Sequence, residues 1–258
     1  MPEPEPPEPE PPEPQLPPEP LLPIWQRPER AARGPVPEHS RASIAAAGVA
    51  LADAEGLAAV TMRRVAAAIG AAPASLYRYV ENREELVALM ADAATAELNL
   101  TDLPSGAGWR TDVLTVARRL RALYLRHPWL QEITPGRLGQ SGLGPAAVDY
   151  LEGAVAALSE LDVPARTKME AVAMLTGVVG LFAKDEAAGG ANASAQAQAA
   201  NAAYLGAIVA AGKHPHLAAV MVRAGSEQAA DNASDPGGLF ERVVLGVMSG
   251  LLAPPSIP

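Results

Sequence analysis

The sequence predicts an all-α protein with an N-terminal three-helix helix-turn-helix unit and a larger helical domain after it. Three observations predict this class. Apolar residues make up 49% of the chain and aromatic ones only 4%, with alanine, the best helix former, dominant. Apolar residues recur at spacings of three and four, and few stretches alternate with the period of two that is typical of strands. The 258 residues suffice for one or two domains with cores of their own.

The first 37 residues are predicted to form a disordered tail. Its Pro-Glu repeat at 2–20 cannot bury enough apolar surface to offset the entropy lost on ordering. Residues 1–23 carry six glutamates and no basic residue, so removing them from a net charge of −9 leaves −3. Ile24 and Trp25 could anchor this tail, but we expect it to be free. A basic set (Arg27, Arg30 and Arg33) could enter a minor groove, although a solvated linker is the interpretation we favour.

The first two helices of the next segment, 38–99, have clear ends. A helix is predicted over 41–55 because its apolar residues lie on one face, and Gly56 can stop it in a left-handed conformation. Thr61 is a good N-cap for the second helix, since its hydroxyl can accept from a free backbone N–H. Gly70 then ends that helix. The apolar stripes comprise Ile44, Ala47, Gly48, Leu51 and Ala52 in the first helix, and Met62, Val65, Ala66 and Ile69 in the second.

A very short third helix follows, with Pro73 at its first position, where the missing N–H has no partner anyway. Leu76 and Val80 are one turn apart and should face the first two helices. Ser75, Tyr77, Arg78 and Tyr79 are then left to point outward or along the edge. Asn82 and Glu85 come close to a capping box at the start of a connecting helix predicted over 83–99.

Two short helices joined by a glycine turn are the way a helix-turn-helix presents a recognition helix to the major groove. An ordinary three-helix packing unit would show the same periodicity. However, two tyrosines and an arginine crowd a short helix that needs only two core contacts. The segment also resembles the TetR-type transcriptional regulators, in Thr61, Gly70, the run Leu76-Tyr77-Arg78-Tyr79-Val80 and the start Asn82-Arg83-Glu84-Glu85-Leu86.

This resemblance implies that the segment binds double-stranded operator DNA. Tyr77 can reach a phosphate, Arg78 a phosphate or a guanine edge, and Arg63 and Arg83 flank the short helix where phosphates would lie. The predicted DNA-binding residues are Thr61, Arg63, Pro73, Ala74, Ser75, Tyr77, Arg78, Tyr79 and Arg83.

The rest of the chain, 100–258, is predicted to be a second helical domain. Apolar stripes predict helices over 109–127, 145–162, 164–188, 216–223 and 239–252. The Ala, Asn and Gln rich tract at 191–211 could continue a helix or be a mobile connection, and 225–238 has the composition of a loop.

In the TetR-type family this region binds a small effector and dimerises, and the turn His127-Pro128-Trp129-Leu130 resembles one branch of the family. The resemblance implies a homodimer in which 166–188 and 239–252 pair with their copies in a four-helix bundle. Four glycines either permit close approach of these helices or are merely tolerated: Gly177, Gly180, Gly246 and Gly250.

Several large residues of this domain could line an apolar effector pocket, although residues of this kind are more often plain core. They are Trp109, Tyr124, Trp129, Tyr150, Met174 and Phe182. We expect His127 to interact with the last carbonyls of its helix, and His214 and His216 to lie in a surface turn.

Other classes of function find little support. The chain has no cysteine, which excludes a disulfide framework, a thiolate metal site and a cysteine nucleophile. No metal site, cofactor or catalytic motif is evident, nor a membrane span or signal peptide. The sequence therefore predicts a cytoplasmic DNA-binding regulator, a repressor released by a small molecule. The alternative is a helical enzyme or protein-interaction module with a degenerate helix-turn-helix.

Overall fold

The computed structural model describes residues 23–28, 39–103, 107–133, 142–192, 195–230 and 236–253. Over these residues all regular structure is helical, as predicted. The α-helices are α1 (Arg41–Glu55), α2 (Met62–Ala68), α3 (Pro73–Leu76), α4 (Arg83–Thr95), α5 (Trp109–Arg126), α6 (Pro145–Ala156), α7 (Ala165–Asn192), α8 (Ala195–Ala210), α9 (Pro215–Ala230) and α10 (Pro236–Leu252). Short 3₁₀ turns occupy Leu57–Ala59 and Pro128–Glu132.

Local chemistry explains where α1 begins and ends. The Ser40 hydroxyl accepts from the Ser43 N–H at 3.1 Å, and the Ser43 hydroxyl accepts from the Ser40 N–H at 2.9 Å. This reciprocal cap satisfies two N–H groups that the first turn cannot pair internally. Gly56 ends the helix with a φ of 83°, a backbone conformation that residues with a side chain rarely adopt. The predicted bounds of 41–55 are confirmed.

The helices α1 to α4 form one bundle. Helix α1 packs along α4, and α2 packs on both α1 and α3. Their shared core contains the fully buried Ile44, Val65, Leu76, Val80 and Leu86. Helix α4 ends at Thr95, one turn before the predicted end at 99.

The second domain is built around α5, α7 and α10, which pack on one another, while α6 lies against α4 and α7. Its core is separate from the first and includes Val116, Leu175, Val179, Phe240 and Val244. Pro145 starts α6 as its first residue, where a missing N–H costs nothing. Trp129, which follows α5 in the chain, packs in the first of these two cores.

Three parts of the second domain differ from prediction. Helix α6 ends at Ala156 rather than at 162. Residues 195–210 form α8, so most of the Ala-rich tract is helical. The expected loop at 225–238 is wrong for 225–230, which belong to α9, and for 236–238, which begin α10. Helix formation is cooperative, so a few residues of low propensity do not end a helix.

Candidate nucleic-acid interface

The turn between α2 and α3 is fixed by its own backbone. The Thr61 hydroxyl accepts from the Arg64 N–H at 3.2 Å, which confirms Thr61 as the N-cap of α2. After α2, the Ala71 N–H donates to the Ala66 carbonyl at 2.8 Å, and Gly70 adopts a φ of 71°. The chain thus reverses tightly and delivers Pro73 to the first position of α3.

Helix α3 and the turn after it at 77–79 are buried on one side and exposed on the other. Leu76 and Val80 are fully buried, whereas Tyr77 is 55% exposed and Arg78 is also exposed. Pro73 and Ala74 are exposed beside them. The Ser75 hydroxyl donates to the Ala72 carbonyl at 2.7 Å, so its proton is already used within the turn. The open face therefore presents a phenol and a guanidinium side by side.

Tyr79 does not share this open face. Its side chain is only 8% exposed and belongs to the core of the first domain, so the expectation that it points outward is wrong. Its carbonyl accepts from Nε of Arg41 at 3.2 Å. A helix of four residues has no full stripe that would show which side chains turn inward. Tyr79 therefore attaches the end of α3 to α1.

The arginines around α3 differ in how they are bound. Nε and Nη2 of Arg83 donate to the carbonyls of Val60 and Leu57, at 2.9 and 2.8 Å. Arg83 flanks α3 as expected, but two of its five N–H donors hold the loop before α2. Arg63 lies exposed on α2. Arg64 instead pairs with Glu55, and its hydrogen bonds lower the pKa of that carboxyl.

Of the basic set before α1, the structure describes only Arg27, and this residue does not belong to a free arm. Arg27 forms ion pairs with Glu81 and Glu85, and Ile24 is 1% exposed in the first core. The prediction of a free tail is therefore wrong for residues 23–28, because apolar contact and charge pairing order them. Arg30 and Arg33 lie outside the described residues.

The cap of α4 differs in one detail from a capping box. The Asn82 side chain accepts from the Glu85 N–H at 2.8 Å, as predicted. The Glu85 carboxylate accepts from the Glu81 N–H at 2.7 Å, one residue before the Asn82 N–H that a capping box would use. Glu85 is thereby placed to meet Arg27 as well.

The six candidate pocket residues do not form one site. Trp109 and Tyr124 lie at opposite ends of α5, about 22 Å apart along the helix axis. Met174 is exposed on α7. Phe182 packs edge-to-face on Phe240 of α10, with ring centroids 5.3 Å apart. The expectation of a single pocket is therefore wrong for Trp109, Met174 and Phe182, since they occupy different faces and ends of their helices.

Tyr124 and Tyr150 do lie together, between α5, α6 and α7. The Thr176 hydroxyl donates to the Val172 carbonyl at 2.9 Å, so the Tyr150 hydroxyl must donate to Thr176 across 2.7 Å. Burial, with the charge of Tyr150 adding to it, raises the pKa of Tyr124 to about 12. Both phenols thus stay protonated at neutral pH and can serve as neutral hydrogen-bonding groups.

Trp129 belongs to a junction between the two domains, not to a pocket. It is 1% exposed, and its indole N–H donates to Oδ1 of Asp53 on α1 at 2.7 Å. The same oxygen lies 2.7 Å from Nδ1 of His127, whose Nε2 lies 3.3 Å from Glu97. We call these four residues the buried junction. The sequence pattern singled out His127 and Trp129 but not their partners.

The expectation about His127 needs correction. Its ring does not cap helical carbonyls, because it faces two carboxylates instead. Burial raises the pKa of Glu97, but hydrogen bonds from Arg126 and His127, with their charges, outweigh it, so this pKa lies below its usual 4.5. Glu97 is therefore ionised at neutral pH. The buried junction joins the end of α4, the end of α1 and the turn after α5.

Cavities in the second domain lie elsewhere. One of about 510 Å³ opens between the end of α4 and α6, and its polar lining includes Thr95, Asn99, Asp149 and Glu152. None of the six candidate pocket residues lines it. Among the described residues there is no group of His, Asp and Glu that could hold a metal ion. Within the same residues, no helix is long and apolar enough to cross a membrane.

Comparison with known proteins agrees with this architecture. Residues 44–90 match the model of bacterial regulatory proteins of the tetR family, and residues 102–253 match the tetracyclin repressor-like C-terminal domain. The HTH-type transcriptional repressor DrrR1 of Streptomyces coeruleorubidus is 38% identical over 157 residues. That alignment spans 60% of this chain and 57% of DrrR1, which is less than two thirds of the relative.

Solved structures show the same fold. The TetR family protein ActR of Streptomyces coelicolor, in complex with (S)-DNPA, has a TM-score of 0.65 and 26% identity, covering 85% of this chain and 98% of ActR. BioQ with its double-stranded DNA operator has a TM-score of 0.50 and 25% identity, covering 58% of this chain and 89% of BioQ. Since the C-terminal model alone matches more than half of its residues, the chain belongs to the TetR family of bacterial regulatory proteins.

Proposed function

We propose that the protein is a cytoplasmic repressor that binds operator DNA through α3 and is released by a small molecule. One observation carries the DNA-binding part: Tyr77 and Arg78 are exposed side by side in the turn that ends α3, while Leu76 and Val80 on either side of this turn are fully buried. A phenol hydroxyl can bond a phosphate, and a guanidinium can bond a phosphate or a guanine edge. The resemblance to DrrR1, which is a repressor, supports repression rather than activation. No catalytic role is proposed.

Helices α7 and α10 support assembly as a homodimer. Each leaves one face exposed that combines large apolar residues with small ones. The exposed positions are Met174, Gly177 and Leu181 on α7, and Leu239, Gly246 and Gly250 on α10. A Cβ added at Gly177 or Gly246 would meet nothing within 4 Å, so the surface is open to a second copy. Two-fold pairing would place two α3 helices about 34–36 Å apart, on one DNA turn.

The release of DNA by a ligand is proposed from two structures of ActR and from the position of two tyrosines. ActR binds (S)-DNPA in one structure and actinorhodin in another. In this chain we place the ligand near Tyr124 and Tyr150, because their protonated hydroxyls lie between three helices. A ligand there would shift the population between two arrangements of α3 only if it bound one of them more tightly.

The test is operator affinity of the double variant Tyr77→Ala and Arg78→Ala, on a duplex selected from a random library by the unmodified chain. We expect affinity to fall about 10-fold to 100-fold or more, since each lost contact is worth about 1–3 kcal/mol. Helicity and dimerisation should not change. The matched control is Arg110→Ala, which removes an exposed arginine from α5 and should leave affinity unchanged. Equal affinity of the double variant and the control would refute the assignment of α3.

The dimer has its own test. Gly246→Glu places a charge in the open face of α10, where a partner helix would have to bury it. We expect light scattering to show a dimer for the unmodified chain at micromolar concentration and a monomer for the variant, which also loses specific binding. An unmodified chain that is monomeric, or a dimeric Gly246→Glu variant, would contradict this interface.

A further inference from the structure

The segment 23–28 attaches firmly to the end of the recognition helix. Nη1 of Arg41 donates to the carbonyls of Ile24 and Arg27, at 2.9 and 2.8 Å, while its Nε donates to the Tyr79 carbonyl. Arg27 in turn pairs with Glu81, just after α3, and with Glu85 on α4. One guanidinium therefore binds the segment and the end of α3 together, and a second ties the segment to the start of α4.

The same segment reaches the second domain through Trp25. Its indole N–H donates to the Gly142 carbonyl, with 3.4 Å between the heavy atoms. A Cβ at Gly144 would lie 2.9 Å from the Trp25 ring, closer than real Cβ atoms come to other groups. The ring therefore lies directly against the backbone that leads into α6.

Helix α4 meets α6 at the same place. Oδ1 of Asp92 accepts from the N–H groups of Ala146 and Ala147, at 2.9 and 3.3 Å, and so caps the first turn of α6. A Cβ at Gly144 would also collide with this carboxylate. Trp25, Asp92 and Gly144 form what we call the glycine junction, in which α4 and the segment 23–28 both contact the start of α6.

We propose that residues 23–28 are a strap that links the recognition helix to α6, with Trp25 as a positioning residue. A shift of α6 would move Trp25 and, through the strap, the end of α3 that Arg41 and Arg27 hold. The strap acts beside α4, which joins the same two places along a separate path. This inference rests on the proposed function, since only operator binding gives the position of α3 a consequence.

Coupling between two sites is reciprocal, so operator DNA can serve as the probe without any knowledge of the effector. Hydrogen exchange of the full chain is measured with and without the selected operator duplex. In the unmodified protein, we expect the duplex to slow exchange in 73–80 and also in 144–149, the latter by about fivefold or more. In Trp25→Ala, exchange in 73–80 should still slow, whereas the response at 144–149 should fall to the part that α4 transmits, about twofold or less.

Further variants separate coupling from simple loss of packing. Trp25→Phe keeps a ring against Gly144 and should restore the response at 144–149. Tyr204→Ala removes an exposed aromatic side chain from α8 and should behave as the unmodified chain. If Trp25→Ala proves too unstable, Arg27→Gln detaches the strap from Glu81 and Glu85 and should also weaken the response.

The outcomes are distinct. A response at 144–149 that keeps its full size in folded Trp25→Ala or in Arg27→Gln would overturn the strap, while operator binding, measured on the same samples, still stands. If the unmodified chain binds the operator but exchange at 144–149 does not respond, the strap is also overturned. A chain that selects no operator would overturn the proposed function and the strap with it.

Discussion

The two contacts between the domains are built on different physical principles. The buried junction joins side chains by hydrogen bonds, with Asp53 accepting from both His127 and Trp129. The glycine junction adds steric contact to the two hydrogen bonds that Asp92 accepts from Ala146 and Ala147, because its surfaces lie so close that Gly144 has no room for a Cβ. Hydrogen bonds fix a distance in both directions, whereas steric contact resists only approach. The buried junction therefore fixes the spacing of the domains, and the glycine junction in addition resists any approach of α6 to α4.

The largest effect is expected at the buried junction. Trp129→Ala should lower the free energy of unfolding by about 3–5 kcal/mol, since it empties a fully buried aromatic site and leaves Asp53 one donor short. Urea unfolding followed by circular dichroism measures this. Trp109→Ala removes a half-buried ring outside both junctions and should cost distinctly less. Equal losses would mean that the buried junction is no stronger than ordinary packing.

A smaller loss is expected at the glycine junction. Gly144→Ala should lower the free energy of unfolding by about 1–3 kcal/mol, the usual cost of overpacking, because Trp25 or Asp92 must move. The control is Gly189→Ala on α7, where a Cβ meets nothing within 4 Å. That variant should be neutral or more stable by up to about 1 kcal/mol, since alanine favours the helix. Equal stability of both variants would contradict the close approach.

The cap of α6 allows a test by pH. Burial raises the pKa of Asp92 above 3.8, although bonds from Ala147 and Ala146 offset part of this, and the charge of Asp149 adds to it. The folded chain therefore keeps this proton at pH values where the unfolded chain has lost it, so the contribution of Asp92 to stability falls as pH rises from 3.8.

Two substitutions test this fall of stability with rising pH. Asp92→Asn keeps an acceptor oxygen without the charge, so it should gain stability relative to the unmodified chain as pH rises above 3.8. Asp92→Ala loses the cap and should cost about 1 kcal/mol at neutral pH. Thermal unfolding at several pH values measures both. A stability difference for Asp92→Asn that is independent of pH would show that the charge is not penalised there.

The smallest effect concerns the acidic tail. Deleting residues 1–22 removes six negative charges but leaves the strap, so the melting temperature should barely change. Non-specific DNA binding should tighten slightly at low salt, because fewer like charges repel the phosphates. Deleting 1–28 also removes Ile24 and Trp25, and it should lower the melting temperature. Equal melting temperatures of the two deletions would mean that the strap adds no stability.

The helices of the first domain could be predicted closely because local chemistry sets their ends. Thr61, Pro73 and Asn82 each act within a turn of their own position, so a single sequence shows them. The contacts that join the domains could not be predicted in this way. Trp129 and Asp53 are 76 positions apart, and no pattern in the sequence indicates which carboxylate an indole will meet.

The same reason explains the errors at Tyr79 and at the strap. Both depend on Arg41, which lies 38 positions before Tyr79. The predicted pocket failed for a related reason, because aromatic residues on three helices share a site only if the helices present matching faces. Tyr124 and Tyr150 meet that condition because α6 packs beside α5 and α7. The sequence alone does not show how these helices pack.

The attachment of α3 by only a few buried residues has a consequence for how the DNA-binding preference of such a protein can change in evolution. Leu76, Tyr79 and Val80 attach α3 and the turn after it to the core from one side. The residues that fold this segment therefore differ from the exposed residues that we propose to contact DNA. A library randomised at Ala74, Tyr77 and Arg78 should consist mainly of folded proteins. If α3 binds operator DNA as we propose, new operator preferences can arise by exchange of a few surface side chains, while the second domain is inherited unchanged.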